Sequence, residues 1–408
     1  MITPRMTLAR RVTAAFDASP SRIPVLVGGS GSGRTTLLQQ LRERIGRTSA
    51  QYIDVERVAT TPERLLSAVT GASPFPVVGA AQEKDGKAGA RPSFEALLQF
   101  FGTARTAASE PATFLLDEFL ELRTFESFPG LRKVLHDVVD ALAASGNRFV
   151  LTSRYVARAL RLLRDRPARF EVIQMPPLSA EDVADMLGPV PNVPNGANEG
   201  DSHDVHETEY LVRTVHALSA GRPLYAGALI AELASMREPH NGAPSPAAIP
   251  VINDPLGALA SLLAPNGVLA RQCGFCYELR LHRARGYGAL KALLEILAEE
   301  EDLTLTEISH RLQRTPGSTK DYLSWLEDVD LVTSRQKRYS FTDPMLRVWV
   351  RLHCRPSLPT EDDLAREVHR YALPRLPQAE RPLPKPEPDK EPAFAMAGSS
   401  TSGIIEID

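Results

Sequence analysis

Gly28-Gly29-Ser30-Gly31-Ser32-Gly33-Arg34-Thr35-Thr36-Leu37 decides how the rest of the chain is read. It follows an apolar run, Ile23-Pro24-Val25-Leu26-Val27, and leads into a helical pattern, Leu37-Leu38-Gln39-Gln40-Leu41-Arg42. Strand, glycine loop and helix in that order form the setting of a phosphate-binding loop. Gly28, Gly33 and Thr35 match the spacing G-x-x-x-x-G-K-[ST], with arginine at position 34 where the pattern has lysine. Glycines let consecutive backbone N–H groups turn inward around phosphate oxygens. The N-terminus of the following helix adds a partial positive charge aimed at the same anion. The Thr35 hydroxyl falls where a Mg²⁺ ligand belongs. The bland alternative is a Gly/Ser turn between a strand and a helix.

A second stretch, Thr113-Phe114-Leu115-Leu116-Asp117-Glu118, lies about 80 residues downstream. An apolar strand ending in two acids supplies what a Mg²⁺-nucleotide site needs opposite the loop. Asp117 would hold the metal and Glu118 would polarise an attacking water as general base. Taken alone, the stretch is equally well a buried strand with a solvated acidic end. Three further apolar runs read as strands: Gln51–Val55, Arg148–Arg154 and Phe170–Met175. Alternation with helices predicts an α/β fold, a five-stranded parallel sheet covered on both faces. The candidate residues cluster at the carboxyl ends of strands one, three and four, where such sheets bind ligands. At the end of strand four, Thr152, Ser153 or Arg154 could reach a γ-phosphate and report its loss.

Composition bounds the reading further. The chain has 408 residues, 43% hydrophobic and 24% charged, with a net charge of −3, so no global basic field announces nucleic acid. Only eight of its 47 basic residues are lysines. In so arginine-rich a chain, Arg34 can stand for a lysine through compositional drift, although its planar fork and lysine's point charge are not equivalent. No apolar run reaches 18 residues, no signal-peptide pattern opens the sequence, and three cysteines make no disulfide framework, so the expectation is a cytoplasmic protein without a membrane span.

Four segments together carry a resemblance: the loop at 28–36, Leu115-Leu116-Asp117-Glu118, Leu151-Thr152-Ser153-Arg154 and Pro177-Leu178-Ser179. They resemble the AAA+/STAND superfamily of P-loop ATPases, in particular the archaeal-type ATPases related to the Orc/Cdc6 initiators. Ala220-Gly221-Arg222-Pro223-Leu224 is similar to that branch's Gly-x-Pro segment in the helical lid. The resemblance implies ATP and Mg²⁺ as ligands. It implies a Walker A loop over Gly28, Gly29, Ser30, Gly31, Ser32, Gly33, Arg34, Thr35 and Thr36, and a Walker B pair at Asp117 and Glu118. It also implies a sensor at Ser153 or Arg154, with Gly221-Arg222-Pro223 near the base or γ-phosphate. Arg34 departs from the family's lysine, which bears on turnover more than on binding.

The expected partition is an ATPase core at 1–187, a flexible insertion at 188–207, a helical lid with connecting helices at 208–285, a winged helix-turn-helix at 286–355 and a disordered Pro- and charge-rich tail at 356–408. The family resemblance continues through Phe341-Thr342-Asp343-Pro344. DNA is a candidate partner of the winged helix through Lys320, Arg335, Lys337 and Arg338, although Asp321, Glu327 and Asp328 oppose a polyanion on the third helix. The alternative is a winged helix used for protein contact or for packing on the core. The tail tip, Ile404-Ile405-Glu406-Ile407-Asp408, is a candidate peptide for a partner's sheet edge. His203 and His206 are weak metal candidates. Cys273-Gly274-Phe275-Cys276, with His282 and Cys354 as loose companions, reads better as two semi-buried cysteines on a helix. Two functions follow: an ATPase coupling nucleotide state to DNA or a partner protein, or a slow or non-hydrolysing nucleotide switch in which Arg34 limits turnover. Self-association is left open by both.

Overall fold

The five apolar runs form one parallel sheet in the computed structural model, which describes residues 6–76, 89–166, 168–188, 202–237, 254–282, 284 and 286–377. The strands are β1 (Ile23–Val27), β2 (Ala50–Asp54), β3 (Thr113–Asp117), β4 (Arg148–Ser153) and β5 (Phe170–Gln174). Their order is β2-β3-β4-β1-β5. β1 lies between β4 (Val25 opposite Leu151) and β5 (Val25 opposite Val172), all parallel. Near-continuous apolar strands are what a sheet covered on both faces requires.

Alternate side chains divide between two cores. Leu26, Leu115, Val150 and Ile173 face α1 (Met6–Asp17) and α2 (Arg34–Ile45), packing with Leu8, Val12, Leu37, Leu38 and Leu41. Val25, Val27, Phe114, Leu116, Phe149 and Leu151 belong to the larger core on the other face. That face meets α3 (Val55–Val58), α4 (Pro62–Gly71), α5 (Ala90–Thr103) and α6 (Val134–Ala144). Phe114 stacks on Phe149 at 5.5 Å and meets Phe75, Phe100 and Phe101 edge-on. Burying one such ring contributes about 1.5–3 kcal/mol. A 3₁₀ stretch, Phe119–Ser127, follows β3; α7 (Val156–Leu163) follows β4, and α8 (Ala180–Leu187) follows β5 behind a Ser179–Asp182 capping box.

The lid comprises α9 (Ser202–Ser219), α10 (Pro223–Arg237), α11 (Pro255–Leu263) and α12 (Val268–Leu281). The winged helix follows: α13 (Tyr287–Glu299), β6 (Leu303–Thr304), α14 (Leu305–Leu312), α15 (Pro316–Asp328), β7 (Val332–Arg335) and β8 (Arg338–Phe341), with sheet order β6-β8-β7. Gln336 and Lys337 both take positive φ, as a two-residue hairpin turn requires. Two helices, α16 (Pro344–His353) and α17 (Glu361–Ala372), complete the unit.

Two expectations need correction. Residues 361–372 are not tail but helix. Thr360 and Asp363 form a capping box, Leu364, Val368 and Tyr371 are buried, and Arg351 holds Glu367 at 2.6 Å. The compact unit therefore runs to Leu376. Residues 202–207, assigned to a flexible insertion, open α9 instead. The histidine pair's side chains and the tail tip lie outside the described residues. Among the described residues no helix is long and apolar enough to cross a membrane, and no cluster of three or more His, Cys, Asp or Glu could hold a metal.

Candidate functional site

The site forms beside the strand-order reversal, where β1 ends between β4 and β5. Gly28 N donates to Ser153 O at 3.3 Å, joining the start of the loop to the end of β4. Gly31 and Gly33 take the left-handed backbone (φ 76° and 86°) that turns the chain into α2. A β-carbon at Gly31 would lie 2.7 Å from Leu224 Cβ, so the lid leaves room only for glycine there.

Arg34 does not point to solvent. Its guanidinium is buried inside the loop. Nη1 donates to the Gly28 carbonyl, to Gly29 O at 2.7 Å and to Ser32 Oγ at 3.1 Å. Nη2 reaches across to Glu118 Oε1 at 2.5 Å. One nitrogen steadies the loop and the other neutralises an acid; a lysine would concentrate its charge on one nitrogen instead of spanning both with a planar fork.

Thr35 Oγ1 donates to Asp117 Oδ2 at 2.7 Å, which joins the two sequence motifs directly. Tyr52 Oη donates to the same oxygen at 2.9 Å, and Thr152 Oγ1 to Asp117 Oδ1 at 2.5 Å. Three hydroxyls thus satisfy one buried carboxylate. This all-oxygen set fits a hard divalent cation. Asp117 and Thr35 would hold Mg²⁺, which when bound neutralises phosphate oxygens.

Glu118 sits at φ 56°, ψ 48°, a left-handed conformation unusual for a residue with a side chain and costing on the order of 1–3 kcal/mol. It lies between two arginines: Oε1 accepts from Arg34, and Oε2 accepts from Arg154 N at 2.9 Å with Arg154 Nε at 3.3 Å. Burial works to raise its pKa, but Arg34 and Arg154 outweigh burial and hold it below the ordinary glutamate value. Arg154 also pairs with Glu56, so the charges alternate: Arg34, Glu118, Arg154, Glu56. Burial raises the Glu56 pKa by more than Arg154 lowers it.

The structure brings Gly28 through Thr35, Asp117, Glu118, Arg154 and Pro223 together, the last with its Cγ 3.5 Å from where a Gly33 β-carbon would stand. Thr36 is half-buried in the first turn of α2. Ser153 Oγ accepts from Tyr155 N at 3.0 Å and is committed to its own turn. Lys320, Arg335, Lys337 and Arg338 are exposed on the winged helix and do not join this site. Cys273 is buried and Cys276 half-buried on α12; Cys276 Sγ lies 3.2 Å from Ser30 Oγ. Sequence reading missed Tyr52, Glu56 and the part played by Asp343. Near the carboxyl end of β2, Asp54 stands beside Asp117 in register and Tyr52 beside Leu115, so strand order was the missing information.

No family model and no curated protein matches the chain. Solved structures do. The Walker-type ATPase PABY2304 of Pyrococcus abyssi aligns at 15% identity with a TM-score of 0.59, covering 86% of this chain and 96% of that one. The ORC1 protein of Aeropyrum pernix, solved in complex with DNA, gives 17% identity and a TM-score of 0.41 over 90% of this chain and 91% of its own. Cdc6p of Pyrobaculum aerophilum gives 13% and 0.35 over 92% and 96%. The chain shares the fold of that Walker-type ATPase, here a five-stranded parallel sheet followed by a helical lid and a C-terminal winged helix.

Proposed function

We propose that this chain binds ATP with Mg²⁺ at residues 28–36 and hydrolyses it, coupling nucleotide state to the position of its winged helix. The observation that carries the reading is the Thr35–Asp117 contact of 2.7 Å, with Glu118 adjacent. A metal-binding hydroxyl, a metal-binding acid and a second acid then meet at the mouth of a glycine loop. Phosphate oxygens are acceptors only, so they compete with Glu118 for Arg34 Nη2. Drawing Arg34 onto the phosphates would leave Glu118 Oε1 free to orient water, with Oε2 still held by the Arg154 backbone. In this role Glu118 is the general base, Asp117 and Thr35 hold the metal, and Arg154 is the candidate reporter of the γ-phosphate.

A second reading, a nucleotide switch without turnover, is favoured by the Arg34–Glu118 pair itself, because a base bound by two arginines is a poor one. DNA remains a candidate partner through the exposed Arg335, Lys337, Arg338 and Lys320. Packing on the core is the stronger use of α15, since Asp328 at its end takes Arg161 at 2.5 Å and Arg158 at 3.5 Å.

The test is calorimetric ATP binding and steady-state hydrolysis by wild type and Glu118→Gln. Bound ATP with turnover reduced about 10²–10⁴-fold in the variant is the expected result. Binding with equal, negligible turnover in both leaves the switch reading. Absence of binding in both overturns the proposal.

A further inference from the structure

Asp343 divides its carboxylate between two tasks. Oδ1 accepts from Met345 N at 3.0 Å and caps α16. Oδ2 accepts from Arg222 Nη1 at 2.8 Å and from Tyr225 Oη at 2.6 Å. Arg222 is itself shared. Nη1 also donates to Ser30 O, and Nη2 to Thr342 O, each at 3.2 Å. Ser30 belongs to the glycine loop, Arg222 opens α10 of the lid, and Thr342 and Asp343 close the winged helix. One guanidinium therefore touches all three parts.

The surrounding contacts leave it little slack. A β-carbon at Gly29 would lie 3.2 Å from Arg222 Nη1. Leu224 N donates to Gly31 O at 3.2 Å, so the lid binds two successive loop carbonyls from outside. Gly221, at φ 64°, fixes the turn that presents Arg222: a β-carbon there would lie 2.7 Å from Pro177 Cβ. Burial works against the Arg222 charge, but Asp343, with smaller contributions from Tyr225, Tyr371 and Cys273, more than restores it. A second dock lies farther along. Asp330 Oδ2 accepts from Val156 N at 2.8 Å, and Arg280 Nη1 donates to Asp330 O at 3.0 Å.

We infer that Arg222 couples the glycine loop to the winged helix: the Arg222–Asp343 pair holds the winged helix on the core only while the Ser30 carbonyl stays beneath Arg222. The trigger, nucleotide, rests on the function proposed above; the coupling itself does not. Carbonyls of Gly28 and Gly29 are held by Arg34 from inside, and those of Ser30 and Gly31 by the lid from outside. A ligand that draws Arg34 away from the loop changes the seat of Arg222. Because coupling is reciprocal, undocking the winged helix must in turn loosen the loop.

Amide hydrogen exchange on the full chain tests this. Without nucleotide, Asp343→Asn keeps an acceptor for the Met345 cap but loses the ion pair. Loop amides at 28–33 and the dock amide of Val156 are expected to exchange about tenfold faster, with β3 and α6 unchanged. Faster exchange confined to the dock, or no change at all, overturns the inference. Arg222→Lys guards against misfolding of the first variant, since it replaces the two-nitrogen fork that spans Ser30, Asp343 and Thr342 with a single nitrogen; the same paired pattern is expected, and its absence has the same force. With Mg²⁺ and ATP, wild type is expected to show faster exchange at the dock amide of Val156. Calorimetry run beside it separates the two failures. If ATP does not bind, the function falls while the nucleotide-free variants still decide the coupling. If ATP binds and the dock amide does not accelerate, the coupling falls.

Discussion

Arg34 carries the largest departure from the expected pattern, and its geometry gives that departure a physical meaning. A planar fork lets one side chain anchor the loop carbonyls and neutralise Glu118 at once. Removing it leaves a buried carboxylate with half of its charge compensation. Arg34→Ala is expected to cost about 3 kcal/mol in urea unfolding, the lower end for a broken buried pair because Arg154 remains. Arg34→Ala with Glu118→Ala should cost less than the sum of the two single changes. An additive result would mean that the two side chains do not interact in the folded protein.

Elements divide by how local their signals are. The loop, the β3 acids and the five strands were legible because each is a short pattern with its own physical cause. The sheet core follows from them. Phe114→Ala removes a ring packed against four others and is expected to cost about 3–5 kcal/mol, read as a shifted urea midpoint with an unchanged slope. A cost under about 1 kcal/mol would show that the aromatic cluster is not cooperative with the sheet. What was not legible is what the chain brings together from afar. Tyr52 reaches Asp117 only because β2 and β3 are neighbours, and Arg222 reaches Asp343 only because the lid folds between loop and winged helix. The helix at 361–372 was legible in part, through Thr360-x-x-Asp363 and the apolar spacing of Leu364, Val368 and Tyr371, but the surrounding charge and proline masked it.

At the scale of the whole molecule, acidification has a definite sign. His353 is half-buried with its Nε2–H donated to Leu263 O at 2.9 Å, and burial lowers its pKa below 6.5. Glu118 and Glu367 also sit below the ordinary 4.5, in each case because arginine partners outweigh the burial that works to raise them. All three groups bind protons more tightly when unfolded, so the stability they contribute is present at higher pH and lost as pH falls. Asp330 and Glu56, raised chiefly by burial, work in the opposite direction. The urea midpoint is expected to begin falling below about pH 6.5 and to steepen below about pH 4.5. His353→Gln should flatten the first part of the curve and Glu118→Gln the second. Unchanged curves in both variants would place the acid sensitivity elsewhere.

The position of β1 in the sheet has a consequence for biosynthesis. Ile23 pairs with Phe170, so about 150 residues separate the first strand from one of its two neighbours. At ribosomal rates of about 5–20 residues per second, roughly 7 to 30 seconds pass between the two leaving the peptidyl-transferase centre. For most of that interval, until β4 is made about 125 residues after β1, a glycine-rich loop and an apolar strand wait without a template on either side. The earliest-made part of the candidate site is therefore among the last to be assembled, and the nascent chain presents β1 to whatever holds unfolded chains before β4 and β5 arrive to enclose it.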